Sequence, residues 1–224
     1  MDKVREVVDE FRTVVAGRVK VVDSVLPPLL FVLINGLAGA DWAVGAALGA
    51  SLLLAGWRRL RGEPMLYALL GLVGAAFAYL LVRLVGRAEG FFLPGIFTSG
   101  LTAILAVISN LARRPLVAWS SVIARRWPLG WYWHPRVRPA YAEVTWLWAI
   151  FFGARALLQL TLFQAGDAGG LALANILSGW PALIILLVIT YLYGTWRLRN
   201  LAGPSVEEFE IDAPPPWSGQ RKGF

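Results

Sequence analysis

From Val25 to Trp57 the chain carries one charged residue, Asp41. A helix over those 33 residues would measure about 50 Å, against a hydrocarbon core of about 30 Å, so a single crossing cannot use the length. Gly36, Gly39 and Asp41 supply the turn that divides it. The run therefore reads as a hairpin of two short helices, about 25–40 and 42–57. Each is near the lower length limit for a span, which leaves a re-entrant hairpin open beside two full crossings. Apolar runs follow at about 64–86, 91–112, 142–165 and 170–196, each long enough to cross once. Because a backbone in hydrocarbon must satisfy its own hydrogen bonds, such runs are helices. The expected fold class is all-α: a polytopic membrane helix bundle with six transmembrane helices within 25–196. Composition agrees, since 58% of the chain is hydrophobic and 16% charged, where a soluble domain has about 25% charged residues.

Orientation follows from Lys and Arg, which accumulate in cytoplasmic loops. Arg58, Arg59 and Arg61, then Arg113, Arg114, Arg125, Arg126, Arg136 and Arg138, fall on one side together with both terminal clusters. The other side keeps Arg87 and Arg83 and has none at 39–41 or 166–170. Both termini are thus expected in the cytoplasm. The formal charge of +7 is accounted for by these short basic clusters between apolar runs, so nucleic acid is not an expected partner. Ala38-Gly39-Ala40 mimics a signal-peptide cleavage site. The preceding two dozen residues, however, hold as many acids as bases, unlike a short positive leader region.

Three segments lie outside the spans. Within residues 1–24, Val4, Val7, Val8, Phe11, Val14, Val15, Val19 and Val22 recur at spacings of three and four, the stripe of an amphipathic helix. It serves equally a membrane surface or packing against cytoplasmic loops. The loop 113–139 has six arginines and no acid, interleaved with Trp119, Trp127, Trp131, Tyr132 and Trp133. Indoles settle at headgroup depth and guanidinium groups attract anionic lipid, so Arg125, Arg126, Arg136 and Arg138 are the candidate lipid contacts. Residues 197–224 turn acidic at Glu207, Glu208, Glu210 and Asp212 and then run Pro214-Pro215-Pro216, the composition of a disordered tail.

Soluble-enzyme chemistry finds little to work with. The chain has no cysteine and one histidine, His134, so thiolate nucleophiles and the common zinc sites are excluded, and a lone imidazole lacks convergent ligands. No carboxylate pair or Ser/His constellation stands near an interface. The expectation is no enzyme, no metal and no cofactor.

The sharper feature is Arg155, near the middle of the fifth run. A charge at that depth costs about 2.5–3.5 kcal/mol on insertion scales and must face the bundle or water. Gln159 is one turn later and Trp148 two turns earlier, on the same face. Asn35, Thr98, Ser99, Thr102, Asn175 and Ser178 are the other polar groups expected at membrane depth. An arginine among amides and hydroxyls suits an anionic group; the structural alternative is donation to the carbonyls of a helix broken at Gly179-Trp180-Pro181. Arg155, Gln159, Asn35 and Thr102 form the candidate midplane site. Leu26-Pro27 and Leu93-Pro94 are each followed, eight positions after the proline, by a polar residue, Asn35 and Thr102. Two inverted three-helix halves, a transporter plan, would produce such an echo, and so would chance among apolar helices. Gly45 and Gly49 let another backbone approach closely, either a neighbouring span or a second copy in a homo-oligomer.

Leu26-Pro27-Pro28 through Asn35, Arg113-Arg114-Pro115, and Thr145, Trp148, Arg155 and Gln159 resemble the bacterial membrane family called domain of unknown function 3159, over about residues 24–195. The first hairpin is similar, more loosely, to intracellular septation protein A. The first resemblance implies a bacterial inner-membrane protein and no established activity; the second implies a role in the envelope or division. Two functions thus stand side by side: transport or binding of a small anionic or polar solute, and a non-transporting membrane scaffold.

Overall fold

The computed structural model describes residues 34, 37, 40–60, 77, 80–220 and 223–224. The expected amphipathic helix 1–24, most of the expected span 25–40 and the first part of the expected span 64–86 lie outside them, as does Asn35. Among the described residues every regular element is helical: α1 (Ala40–Leu60), a 3₁₀ turn (Ala88–Phe92), α2 (Leu93–Leu111), α3 (Leu116–Arg125), α4 (Leu129–Tyr132), α5 (Arg138–Gln164), α6 (Ala168–Leu177), α7 (Trp180–Leu201) and α8 (Val206–Glu210).

Three stretches are long and apolar enough to cross a membrane: Ala88–Leu111, Arg138–Gln164 and Ala168–Leu201. They coincide with the expected spans 91–112, 142–165 and 170–196, while the expected span 42–57 falls within α1. Large apolar side chains such as Ile104, Ile108, Ile150, Leu157, Leu173 and Ile185 are left uncovered by the chain. In water that surface would be an aggregation liability; against lipid tails it is matched. The helix ends have local causes. At the end of α5, Gly166 adopts φ +71°, and the Asp167 amide donates to Leu162 O at 3.0 Å while the Gly166 amide donates to Phe163 O at 3.2 Å. These two bonds satisfy carbonyls the helix would otherwise leave open, in a backbone conformation that suits glycine. Asp167 then caps α6 by accepting from the Gly170 amide at 2.7 Å.

The chain divides into two compact units, one of Met1–Gly95 with Gln159–Trp180, the other of Ile96–Leu158 with Pro181–Phe224. In the second unit, the buried core gathers Ala118, Trp131, Tyr132, Val137, Ala140, Tyr141, Val144, Leu198, Val206 and Phe224. Two expectations are corrected here. The residues after Leu201 do not form a disordered tail. Ser205 and Glu208 close a capping box that starts α8, Val206 and Phe224 are core residues, and Trp131 Nε1 donates to Pro204 O at 2.9 Å. Composition alone weighed the acids and prolines and missed Val206, Phe209, Trp217 and Phe224, the apolar anchors spaced among them. The loop 113–139 is likewise not all interface: it folds into α3 and α4, and Trp131 and Tyr132 are fully buried. Trp119, 42% exposed, keeps the surface character read from the sequence.

Candidate functional site

The last span is interrupted at Ser178–Gly179, between α6 and α7. Pro181 offers no amide to the carbonyl four residues back, and its ring would collide with that carbonyl in a continuous helix. At Gly179 a Cβ would lie 2.7 Å from Asn175 O, so the tight turn excludes any larger residue there. Ser178 turns its hydroxyl back onto Ala174 O. Directly before this break, Asn175 meets Gln159 of α5, whose Nε2 donates to Asn175 Oδ1 at 3.5 Å. Gln159 is only 1% exposed, and its Oε1 is buried with no hydrogen-bond partner among the described residues. A 3.5 Å contact is at the long limit for an amide bond. Three features thus meet within one unit: a buried amide, a second amide, and a break in the helix. Arg155 is half-buried one helical turn before Gln159 on α5.

Thr102, also expected at the site, lies in the second unit. It belongs to α2, and its Oγ1 donates to Thr98 O of its own helix at 2.8 Å, which uses its proton locally. Asn175, named from the sequence only as one polar residue among several, is the partner that Gln159 selects.

In the same unit as Gln159, Glu89 is 7% exposed. Its Oε2 lacks a hydrogen-bond partner among the described residues, and Arg87 lies over the Phe163 ring at 5.3 Å. In the second unit the arginine-rich end of the bundle is tied by Glu143 of α5 and Arg197 of α7. Arg197 Nε donates to Oε2 at 2.7 Å and Nη2 to Oε1 at 2.8 Å, while Tyr193 OH donates to Oε2 at 2.7 Å. This two-pronged pair escaped the sequence reading. The signal was an acid just inside the start of one span and an arginine at the end of the next antiparallel one.

The four candidate lipid-binding arginines divide. Arg125 donates through Nε to Phe224 O at 2.8 Å and lies over Trp127 at 5.1 Å. Arg136 reaches Ala202 O at 3.5 Å and lies over Trp217 at 5.5 Å. Those two also hold the C-terminal segment. Arg126 is exposed, and Arg138 opens α5. Gly45 is exposed and Gly49 partly so, and among the described residues nothing lies within 4 Å of a Cβ built at either.

The C-terminal segment also carries a pH-dependent contact. Glu208 accepts from the Ser205 and Ser218 amides, each at 2.8 Å, and these bonds hold its carboxyl down at about 2. An unfolded glutamate titrates near 4.3. A depressed folded pKa stabilises above the unfolded value, so this contribution is fully present at neutral pH and is lost as pH falls from about 4.3 toward 2. Amide exchange of residues 202–218, corrected for intrinsic rates, is expected to accelerate across that window. Glu208→Gln should exchange fast at every pH; protection unchanged in Glu208→Gln would remove the carboxylate from the account.

Long apolar helices and large uncovered apolar side chains define a class, the helical membrane protein. Within it the chain belongs to the family described as "Protein of unknown function (DUF3159)", whose model matches residues 15–199. Comparison with curated proteins and with solved structures gives no match, so the similarity of the first hairpin to septation protein A gains no support beyond its residues.

Proposed function

We propose that the protein binds or conducts a small polar or anionic solute across a bacterial inner membrane, as a six-span protein with both termini cytoplasmic. The observation that carries this reading is the broken span at Ser178–Gly179 beside the buried Gln159–Asn175 pair. Interrupted helices are tolerated in hydrocarbon where they are buried in protein or line a watery path, and they mark solute sites in carriers. Arg155, one turn away on α5, supplies the positive charge that favours an anion. The scaffold reading rests on a different feature, the folded aromatic unit at the arginine-rich end with Trp119 uncovered. It would engage anionic headgroups through arginines such as Arg126 and Arg138 and organise envelope components. No catalytic role enters either reading.

Topology is checked by reporter fusions. Fusions after Leu60, Arg126 and Arg199 are expected to report cytoplasm, and those near Glu89 and Gly169 periplasm; a periplasmic signal at Arg126 contradicts the six-span arrangement.

The absence of cysteine from the sequence makes the solute path testable in membranes. Single cysteines at Gln159 and Asn175 should react with charged methanethiosulfonates, which modify only hydrated thiolates. The anionic ethylsulfonate should react faster than the cationic trimethylammonium reagent because of Arg155. Leu157→Cys, on an uncovered surface of α5, should stay unmodified. Protection of both Gln159→Cys and Asn175→Cys would describe a dry bundle and leave the scaffold reading ahead.

A further inference from the structure

The turn that leads into α2 carries a carboxylate inward. Gly86 adopts φ +71° and its amide donates to Val82 O at 2.9 Å, so the chain turns back on the helical residues before it. A Cβ built at Gly90 would lie 2.9 Å from both Leu81 O and Val82 Cα. Only glycine lets the 3₁₀ turn press backbone to backbone there. Glu89, one residue earlier, is drawn in with it and left 7% exposed. The 3₁₀ turn packs on α6, and Glu89 Oε1 comes to 3.9 Å from a Cβ built at Gly166 in the α5–α6 turn. Gly166 and Asp167 are themselves exposed, so the buried carboxylate lies against a turn that is open to the surroundings.

Among the described residues Glu89 Oε2 meets no hydrogen-bond donor. The arginine two residues before it, Arg87, is exposed and lies over the Phe163 ring at 5.3 Å. Asp167, next to Gly166, adds a second acid to the turn and spends Oδ1 on the Gly170 amide. A carboxylate buried without a donor or a counter-charge is costly, and where one persists it calls for an ion, a water or a ligand. The second acid decides among them, because it makes the turn more negative and favours a cation over neutral water. Carboxylate and backbone oxygens are also the ligands that hard cations take. We propose that Glu89 and the Gly166–Asp167 turn form a binding site for a hard metal cation, which joins the 3₁₀ turn to the α5–α6 turn. Among the described residues no cluster of three or more acids or histidines could hold a metal. Backbone oxygens therefore complete the shell, and the affinity expected is that of weak sites, with Kd on the order of 10⁻⁴–10⁻³ M for calcium. The site uses neither Gln159 nor Asn175, so it stands apart from the solute reading.

The test uses the full chain in neutral maltoside micelles, stripped with a chelator and held in choline chloride. Thermal unfolding is followed as sodium, magnesium or calcium chloride replaces choline at constant ionic strength. At least one metal, at about 10 mM for the divalent ions or about 100 mM for sodium, is expected to raise the melting temperature by several degrees. The arm that shifts names the charge of the ion. Glu89→Gln keeps the shape and removes the charge. Without metal it should melt at or above the unmodified protein, and it should lose the whole response to metal. Asp167→Asn leaves the buried position untouched and still caps α6; it should need several-fold more metal for the same shift. Asp212→Asn removes an exposed acid of the second unit, at a positive φ that asparagine accepts, and should respond like the unmodified protein. No shift with any metal, an undiminished shift in Glu89→Gln, a lower metal-free melting temperature in that variant, or a response lost equally in Asp212→Asn each overturns the site.

Discussion

Trp131→Ala is expected to cost about 3–5 kcal/mol, the usual range for emptying a large aromatic site, and to be among the most damaging single changes in the described part of the chain. Trp131 is fully buried and packs edge-on to Trp127, Tyr132 and Tyr141 at 5.3, 5.0 and 6.2 Å. Its indole N–H is also the bond that fixes Pro204. The substitution therefore opens a cavity and leaves a buried carbonyl without its donor, two costs that add. Trp131→Phe keeps much of the ring packing and loses the donor, so it should cost less, about 1–3 kcal/mol. Trp119→Ala provides the contrast: that ring is partly exposed and touches Trp133 at 5.7 Å, and its loss should stay within about 0.5 kcal/mol. Thermal unfolding of the three purified variants ranks them. Equal melting temperatures for Trp131→Ala and Trp119→Ala would mean that the aromatic unit at the arginine-rich end is a surface layer and no core.

That contrast marks where sequence reasoning succeeded and where it stopped. Apolar runs placed three candidate spans because hydrocarbon forces each backbone to pair within itself, a constraint visible one segment at a time. Proline and glycine at 179–181 located the break for the same local reason. The two tryptophans, by contrast, look alike in the sequence: both stand among arginines, and only a partner distant in the chain decides which is buried. For Trp131 that partner is Pro204, in a segment whose prolines and acids read as disorder. Residues at long separation also hid Glu143–Arg197 and the seat of Phe224. In the midplane group the sequence placed Arg155 and Gln159 on one helix face, because helical spacing is local. It did not single out Asn175 as a partner of Gln159, because that pairing depends on how α5 meets α6 within one unit.

The amide pair yields the second large effect, and its sign carries the information. Gln159 buries an acceptor with no hydrogen-bond partner among the described residues, and its one bond to Asn175 is stretched to 3.5 Å. An unsatisfied buried group costs about 1–3 kcal/mol. Leucine has a similar volume and no polar atom, so Gln159→Leu should leave the melting temperature unchanged or raise it, by the equivalent of about 1 kcal/mol. The same change should abolish reaction of the anionic thiosulfonate at Asn175→Cys, because a hydrated path cannot persist against an apolar wall. Glu143→Leu behaves in the opposite way. It strips Arg197 and Tyr193 of their shared acceptor and should lower the melting temperature by several degrees, since hydrogen bonds to a charged group contribute about 1.5–3 kcal/mol. Natural chains retain a destabilising polar group where function requires it. A gain in stability joined to a loss of water access would therefore identify Gln159 as part of a working site. If Gln159→Leu melts as low as Glu143→Leu, the amide is a packing bond like the ion pair, and the solute path does not run between α5 and α6.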